Sequence, residues 1–415
     1  MGFLIGALKV IVLLGTLITL HEFGHFIVAK LCNMKVLKFS IGFGPKILKK
    51  QGKETEYSLR AFPLGGFVQL EGEDEESDDD RSFTNRPIWQ RLLVLLAGVT
   101  MNIFIALFIY LCIYMNINDY YTTQISAKSS PEALAEYGLK VGEQILRING
   151  EKPYNESDVT RIVNDSKSDD FVFLIADQNN NQYEKQVTIK ETTVGYIGVV
   201  FEGETVYQII KDAPGDLADL KPGDKLLTVD NQSGDIYSFI ATFKENPEKE
   251  ITLNILRDDE QKEITITPTA SKKRILNVTF IEVKDLDFFH NLGYAWNETK
   301  YYLRANFIGI AELLSGKTEN VEVQGIVGIS QQISSTKSLI EFFYLMSAIS
   351  LSLGIMNLLP IPGLDGGKVL ITLIELVRRK PIKKETEMVI TLIGFGLLLL
   401  LMIYVTTNDI TRLFR

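Results

Sequence analysis

Cysteine is almost missing from this chain of 415 residues: Cys32 and Cys112 are the only two, each at the end of an apolar run. They form neither a CxxC pair nor a framework. A disulfide scaffold and thiolate–metal chemistry are thereby excluded, leaving two small apolar side chains. Histidine is nearly as scarce, with three residues. Charge is sparse along four apolar stretches: 3–31, broken only by Lys9 and by the motif-bearing segment 16–31, and 92–117, 342–359 and 388–406, which carry none. Each reaches or nearly reaches the ~20 residues that a helix needs to cross ~30 Å of hydrocarbon. The first is too long for a cleaved signal peptide. It also lacks the basic start and small-residue cleavage site of one, so it reads as a retained helix. No inverted repeat of membrane segments is visible, which argues against a transporter.

Against this background, "HEFGH" at 21–25 stands out, because it puts two of the three histidines inside the first apolar run. An ionisable side chain at mid-membrane costs on the order of 2.5–3.5 kcal/mol on insertion scales and marks function. This is an HExxH pattern. On a helix His21 and His25 lie one turn apart on nearly the same face, the spacing that grips one zinc ion. Glu22, about 100° around the helix, can reach a water beside that ion. Catalytic zinc needs a third protein ligand and an open fourth position. The segment "GIMNLLPIPGLDGGKVLITLIEL" (354–376) offers Asp365. Pro360, Pro362 and Gly363 break the helix before it, and Gly366 and Gly367 permit close approach. The competing reading is that Asp365 merely caps the helix that starts near Gly366.

Between the first two spans, "VLKFSIGFGPKILKK" and "TEYSLRAFPLGGFVQLEG" combine β-formers with Gly/Pro punctuation, predicting a membrane-associated β region over 36–71. Such backbone is tolerated at depth only against protein or a wet cavity. The acidic run "EGEDEESDDD" (71–80) reads either as a solvated flexible loop or as a site for a cation or basic partner. Farther on, "SPEALAEYGLKVGEQILRINGE" (130–151) repeats as "APGDLADLKPGDKLLTVDNQ" (213–232), with Gly142 matching Gly223 and Asn149 matching Asp230. Duplication implies two small domains in tandem. The unit resembles the bacterial PDZ domain, which binds extended peptides by strand addition. In the second copy "GYIGVVF" (195–201) supplies a loop to receive a peptide end. The first copy has only "NDYYTTQIS" before it. Residues 285–315, rich in Phe, Tyr and Trp at helical spacing, suit a helix lying at the membrane surface, with His290 a merely interfacial residue.

The expected fold is thus a polytopic α-helical membrane protein with four transmembrane helices, a membrane-associated β-hairpin region and two extracytoplasmic α+β PDZ-like domains. The chain divides as 1–35 (first span with HExxH), 36–87 (β region and acidic loop), 88–117 (second span), 118–193 and 194–280 (the PDZ-like domains), 281–337 (amphipathic helix and connection), 338–376 (third span with LDGG) and 377–415 (basic loop and fourth span). Basic residues set the orientation. "VRRKPIKK" (377–384) carries five and no acid, and the 32–87 connection with its flanks is also lysine-rich. Both should be cytoplasmic, which puts both termini and the long 118–337 segment outside.

The order of "HEFGH", "GFGP", "PLGGFVQLEG", "AGVTMN", the tandem units and "NLLPIPGLDGG" resembles that of the site-2 proteases, specifically the bacterial regulator-of-sigma-E type. The resemblance implies that His21, His25 and Asp365 are ligands of one catalytic zinc and Glu22 the catalytic carboxylate. It implies that Asn357 orients substrate near the metal, and it matches Asn102 to the asparagine of an "AGPxxN" motif in the second span. Val99 stands where that motif has proline, a departure that touches the local helix shape. The expected reaction is hydrolysis of a peptide bond in or near the transmembrane segment of a single-span protein, such as an anti-sigma factor or a signal-peptide remnant. A membrane helix hides its peptide bonds, so it must unwind first. The edge of "LGGFVQL" (64–70), with Gly65, Gly66, Phe67 and Val68, could pair with the unwound chain. Cleavage is expected toward the cytoplasmic side of a bacterial inner membrane, with the outer domains restricting access or holding peptide segments. No nucleic-acid partner is expected. The rival reading is a proteolytically inactive PDZ scaffold.

Overall fold

The computed structural model describes residues 2–73, 77–116, 120–210, 213–234, 236–257, 260–283, 286–315, 325–336, 338–380 and 382–413. The chain forms two compact units, Met1–Asn118 with Asp285–Arg415, and Asp119–Lys284.

The first unit begins with helix α1 (Gly2–Leu31), followed by strands β1 (Val36–Gln51) and β2 (Glu56–Leu70) and helix α2 (Ile88–Asn116). The hairpin folds back on itself near Gly42 and Gly44, both with positive φ. Residues 38–41 therefore lie against 66–69 on one side and 56–59 on the other. The strip Gly66–Leu70 is paired to β1 along one side. Its end is zipped down by Glu71 N–H to the Lys35 carbonyl (2.9 Å) and Phe83 N–H to the Glu71 carbonyl (2.7 Å).

Part of the acidic run is tied to the fold, while Asp78 and Asp80 are exposed as the solvated-loop reading expects. Lys35 meets Glu71 at 3.3 Å and Asp79 at 2.9 Å, and Ser77 donates to Glu71 at 2.7 Å. Glu71 and Asp79 thus answer one of the chain's own cations. Asp74, Glu75 and Glu76 lie outside the described residues.

The second unit holds the repeat. Its first copy contains β3 (Tyr120–Ile125), α3 (Pro131–Tyr137), β4 (Gln144–Ile148), α4 (Glu156–Asp165), β5 (Asp170–Ala176) and β6 (Gln182–Thr188). After β7 (Glu191–Tyr196) the second contains β8 (Val199–Glu202), β9 (Thr205–Ile209), α5 (Pro214–Leu217), β10 (Lys225–Val229), α6 (Ile236–Glu245), β11 (Ile251–Arg257) and β12 (Glu260–Ile266). The aligned residues make the same bonds. Glu143 and Asp224 accept from the N–H of Lys140 (2.8 Å) and Lys221 (2.7 Å). Asn149 and Asp230 accept from Val172 (2.8 Å) and Thr252 (3.0 Å).

One feature corrects the tandem division at 118–193 and 194–280. After β13 (Thr269–Arg274), which pairs with β7, strand β14 (Phe280–Val283) returns to β3, giving sheet orders β14-β3-β4-β5-β6 and β12-β11-β10-β9-β8. Val278 and Phe280 fill the first core with Ile125, Ile145 and Phe173. The second domain is therefore inserted into the first. The closing strand lies outside the repeated segment, so the repeat could not announce it.

Back in the first unit come α7 (Phe288–Leu314), α8 (Ile326–Ser335), α9 (Leu339–Leu358), α10 (Asp365–Arg378) and α11 (Lys384–Leu413). Among the described residues four helical stretches are long and apolar enough to cross a membrane: Ile5–Leu31, Ile88–Asn116, Leu339–Leu358 and Glu385–Thr407. The stretch 338–376 is two helices, because Pro360 and Pro362 supply no N–H to continue one. Helix α7 is more than a surface helix. Ala295, Tyr302 and Leu303 pack on Ala106, Tyr110 and Leu351, and the Tyr114 hydroxyl donates to Glu298 at 3.3 Å. His290 stands exposed beside Asp287 at 3.0 Å.

Candidate active site

Helical geometry puts His21 and His25 on one face of α1, and both are buried. Two features of α2 complete the pocket for them. Gly98 faces the imidazoles: a Cβ there would lie 2.4 Å from His25 Nε2 and 2.5 Å from His21 Nε2, so no side chain fits. One turn earlier, the Val94 carbonyl is 2.7 Å from His25 Nδ1. A carbonyl can only accept, so Nδ1 carries the proton and Nε2 presents its lone pair to the site.

The third donor arrives from far along the sequence. Helix α10 starts at Asp365 behind Leu364, with no side-chain cap. The carboxylate is instead turned toward α1, which sets aside the capping reading. Close approach is possible because Gly366 and Gly367 lie against the Leu358 and Ile361 carbonyls, where a Cβ would sit 2.2 and 2.4 Å away. Asp365 Oδ2 lies 3.0 Å from His21 Nε2 and 3.3 Å from His25 Nε2, and the two Nε2 atoms are 3.2 Å apart. Donors about 2.0–2.1 Å from a tetrahedral ion are separated by about 3.3 Å, so this triangle matches one face of a zinc site. His21, His25 and Asp365 are the group of metal-capable side chains that converge among the described residues.

Glu22 points beside this triangle, and its Oε2 accepts the Val68 N–H at 3.1 Å. Val68 belongs to the strip of β2 whose other side is paired with β1, so that N–H is free of the sheet. A cavity of about 160 Å³ opens here, bounded by Glu22, His25, Asp365, Phe67, Val68 and Lys368 among others. Asn357, at the end of α9, places its amide 3.4 Å from His21 Nε2. Gly65 has a φ of +122°, and a Cβ there would strike the Phe43 ring; Gly66 lies against the Ser40 carbonyl.

Of the residues singled out from sequence, His21, Glu22, His25, Asp365, Asn357, Phe67 and Val68 are brought together. Asn102 is not at the cavity. It sits fully buried against Gly354, with its carbonyl accepting from Ser350 at 2.9 Å and neither amide atom partnered. Helix α2 runs unbroken through Val99. Two contributors were missed. Gly98 carried a signal, a small residue one turn before Asn102 in "AGVTMN". The Val94 carbonyl carried none, because every residue has one.

The profile of peptidase family M50 matches residues 9–401. The regulator of sigma-W protease RasP of Bacillus subtilis is 29% identical, over 97% of this chain and 98% of its own. Zinc metalloprotease RasP of Bacillus licheniformis is 30% identical with the same coverage, as is the protease Eep of Enterococcus faecalis. The zinc in those names agrees with the donor triangle, and the length of the match leaves the inactive-scaffold alternative without favour. The chain belongs to peptidase family M50, the site-2 proteases, and is a zinc-dependent intramembrane endopeptidase.

Proposed function

We propose that His21, His25 and Asp365 hold the catalytic zinc and that Glu22 is the general base of the reaction. The donor triangle with edges of 3.0, 3.2 and 3.3 Å carries this reading. Zinc in such a site activates water for attack and polarises the scissile carbonyl. The chain's own residues do the rest. Glu22 takes the proton at a carboxylate oxygen and delivers it to the leaving amine. The Asn357 amide, within reach of His21, holds the substrate carbonyl or the charge that develops on it.

The unwound substrate adds to the free edge of Gly66–Leu70, replacing helix bonds lost in a low-dielectric site. The outward N–H of Val68 supports this; it gives up Glu22 when substrate binds. Both termini and residues 118–337 face away from the cytoplasm, and cleavage falls toward the cytoplasmic end of the substrate's segment in the bacterial inner membrane. Substrates are single-span membrane proteins such as anti-sigma factors, in keeping with the sigma-W regulator among the relatives.

The two repeat domains are PDZ-like and restrict access. Strand β8 ends its sheet, and a cavity of about 700 Å³ is lined by Ile197, Gly198 and Val199 beside Ile240 and Phe243 of α6. That arrangement suits an extended peptide end. The segment 275–278, which leads into β14, lines the same cavity, so the first domain also contributes.

Zinc analysis of the wild type and His21→Ala, paired with cleavage of a single-span reporter by the wild type and Glu22→Gln, tests the assignment. Loss of zinc in the first variant and retention of zinc without cleavage in the second are expected. Full zinc in His21→Ala, or cleavage by Glu22→Gln, overturns it.

A further inference from the structure

The polar wall of the site cavity contains one more pair, formed by residues that neither the donor set nor the acid–base chemistry uses. Lys368 stands one turn after Asp365 on α10, and its Nζ lies 2.6 Å from Glu73 Oε1. Both side chains line the same cavity as Glu22, His25 and Asp365. Both are partly screened, with Glu73 15% and Lys368 35% exposed. Glu73 reaches α10 because the chain turns sharply just after β2: Gly72 has a φ of +72°, a conformation that favours glycine. Among the described residues nearby, Glu71 and Asp79 pair with Lys35. The pair therefore adds a directional polar contact between two elements that otherwise share only the apolar cluster of Val68, Leu70 and Val369. One is the end of the strip Gly66–Leu70, and the other is the first turn of the helix that carries the third donor.

We propose that the Glu73–Lys368 ion pair is a positioning latch, which fixes the gap between the substrate-pairing strand and the α10 helix so that an added chain lies with its scissile bond at the donor triangle. The inference rests on the strand-addition reading above. Neither residue touches the reacting atoms. A strand held on one side only by β1 can tilt away from α10, and displacements of about 1 Å at a reacting centre cost on the order of 100-fold in rate. A pair bridging the cleft at its end prevents that tilt.

The test uses the full-length protein in the Glu22→Gln background, with Phe67 replaced by the photo-reactive p-benzoyl-phenylalanine and a single-span reporter as probe. Photo-cross-linking then measures strand engagement without turnover. Glu73→Ala and Lys368→Ala are each expected to lower cross-linking about tenfold, with zinc content and unfolding temperature unchanged. The charge exchange Glu73→Lys with Lys368→Glu should restore most of it.

Singles that cross-link as well as their parent overturn the latch alone. Singles that fail while the exchange fails too also overturn it, because the charge of Lys368 then acts on the site directly rather than through Glu73. A fall in zinc content alongside cross-linking makes the pair a fold element and overturns it as well. No cross-link in the parent removes the strand-addition reading, and the latch with it.

Discussion

The two units bury polar groups in opposite ways. In the repeat unit a buried carboxylate is answered in full within its own domain: Glu143 accepts from the Lys140 N–H and the Tyr183 hydroxyl, and Asp224 from the Lys221 N–H and the Arg257 guanidinium. In the helical unit buried hydroxyls such as Thr299 and Ser347 bond one turn back, but the metal-capable side chains look across the fold. His21 meets a carboxylate 344 residues away, and Asn102 has neither amide atom paired. A polar group whose partners all lie in one small domain stabilises that domain, and folding alone explains it. A group that converges with others from distant helices is costly to bury, and function has to explain it. The same contrast separates Asp365 from an ordinary N-cap, since it leads its helix yet bonds to none of the helix's own backbone.

Breaking the convergence is expected to have the largest effect. Glu22→Gln should lower cleavage by about 10²- to 10⁴-fold, the usual reach of general acid–base catalysis, with zinc unchanged by elemental analysis. Gly98→Ala adds one methyl group to a helix, where alanine is otherwise favourable, yet it should cost the metal. Its Cβ would fall 2.4–2.5 Å from the Nε2 atoms of both His25 and His21, so zinc content should drop, as is also expected of Asp365→Ala. Retained zinc in Gly98→Ala would mean that α2 yields there, and the contrast between the units would soften. Val68→Pro should cripple cleavage while leaving zinc intact, because it removes the N–H that faces Glu22. Normal cleavage by that variant and by Phe67→Pro would rule out the strand edge.

The smaller effects lie in the repeat unit. Tyr196 and Thr269 are register partners, so 197–268 can be replaced by a two-residue turn without disturbing the first sheet. That variant should unfold cooperatively by calorimetry. Removal of 194–280 takes away Phe280, buried at 3% exposure in the first core, and should leave the first domain open to limited proteolysis. Equal resistance of both variants would deny the insertion. Neither deletion should change zinc content. A third variant, with residues 120–283 removed, is expected to cut substrates that the intact protein refuses.

Much of this was legible in the chain. The spans follow from the missing charge, the hairpin from β-formers among glycines and prolines, and the repeat from Gly142/Gly223 and Asn149/Asp230. The candidate donors were legible because imidazole and carboxylate are expensive in hydrocarbon and rare here. The tandem boundary misled, and the partners of Glu71, Glu73 and Asp79 stayed hidden, for one reason. Pairing with Lys35 and Lys368, and with the strand that closes the first sheet, depends on partners that composition and periodicity do not reveal.

By itself, then, the sequence determined which segments are long and apolar enough to cross a membrane, which residues are candidate metal donors, and that one unit of about twenty residues was copied. Each of these is a local property, fixed by side-chain chemistry and short-range spacing. Only the tertiary structure decided that Asp365 reaches α1 rather than capping α10, that Gly98 and the Val94 carbonyl shape the pocket, and that one domain is threaded through the other. Those outcomes turn on close backbone approach and long-range pairing, energies that belong to two stretches at once and cannot be read from either alone.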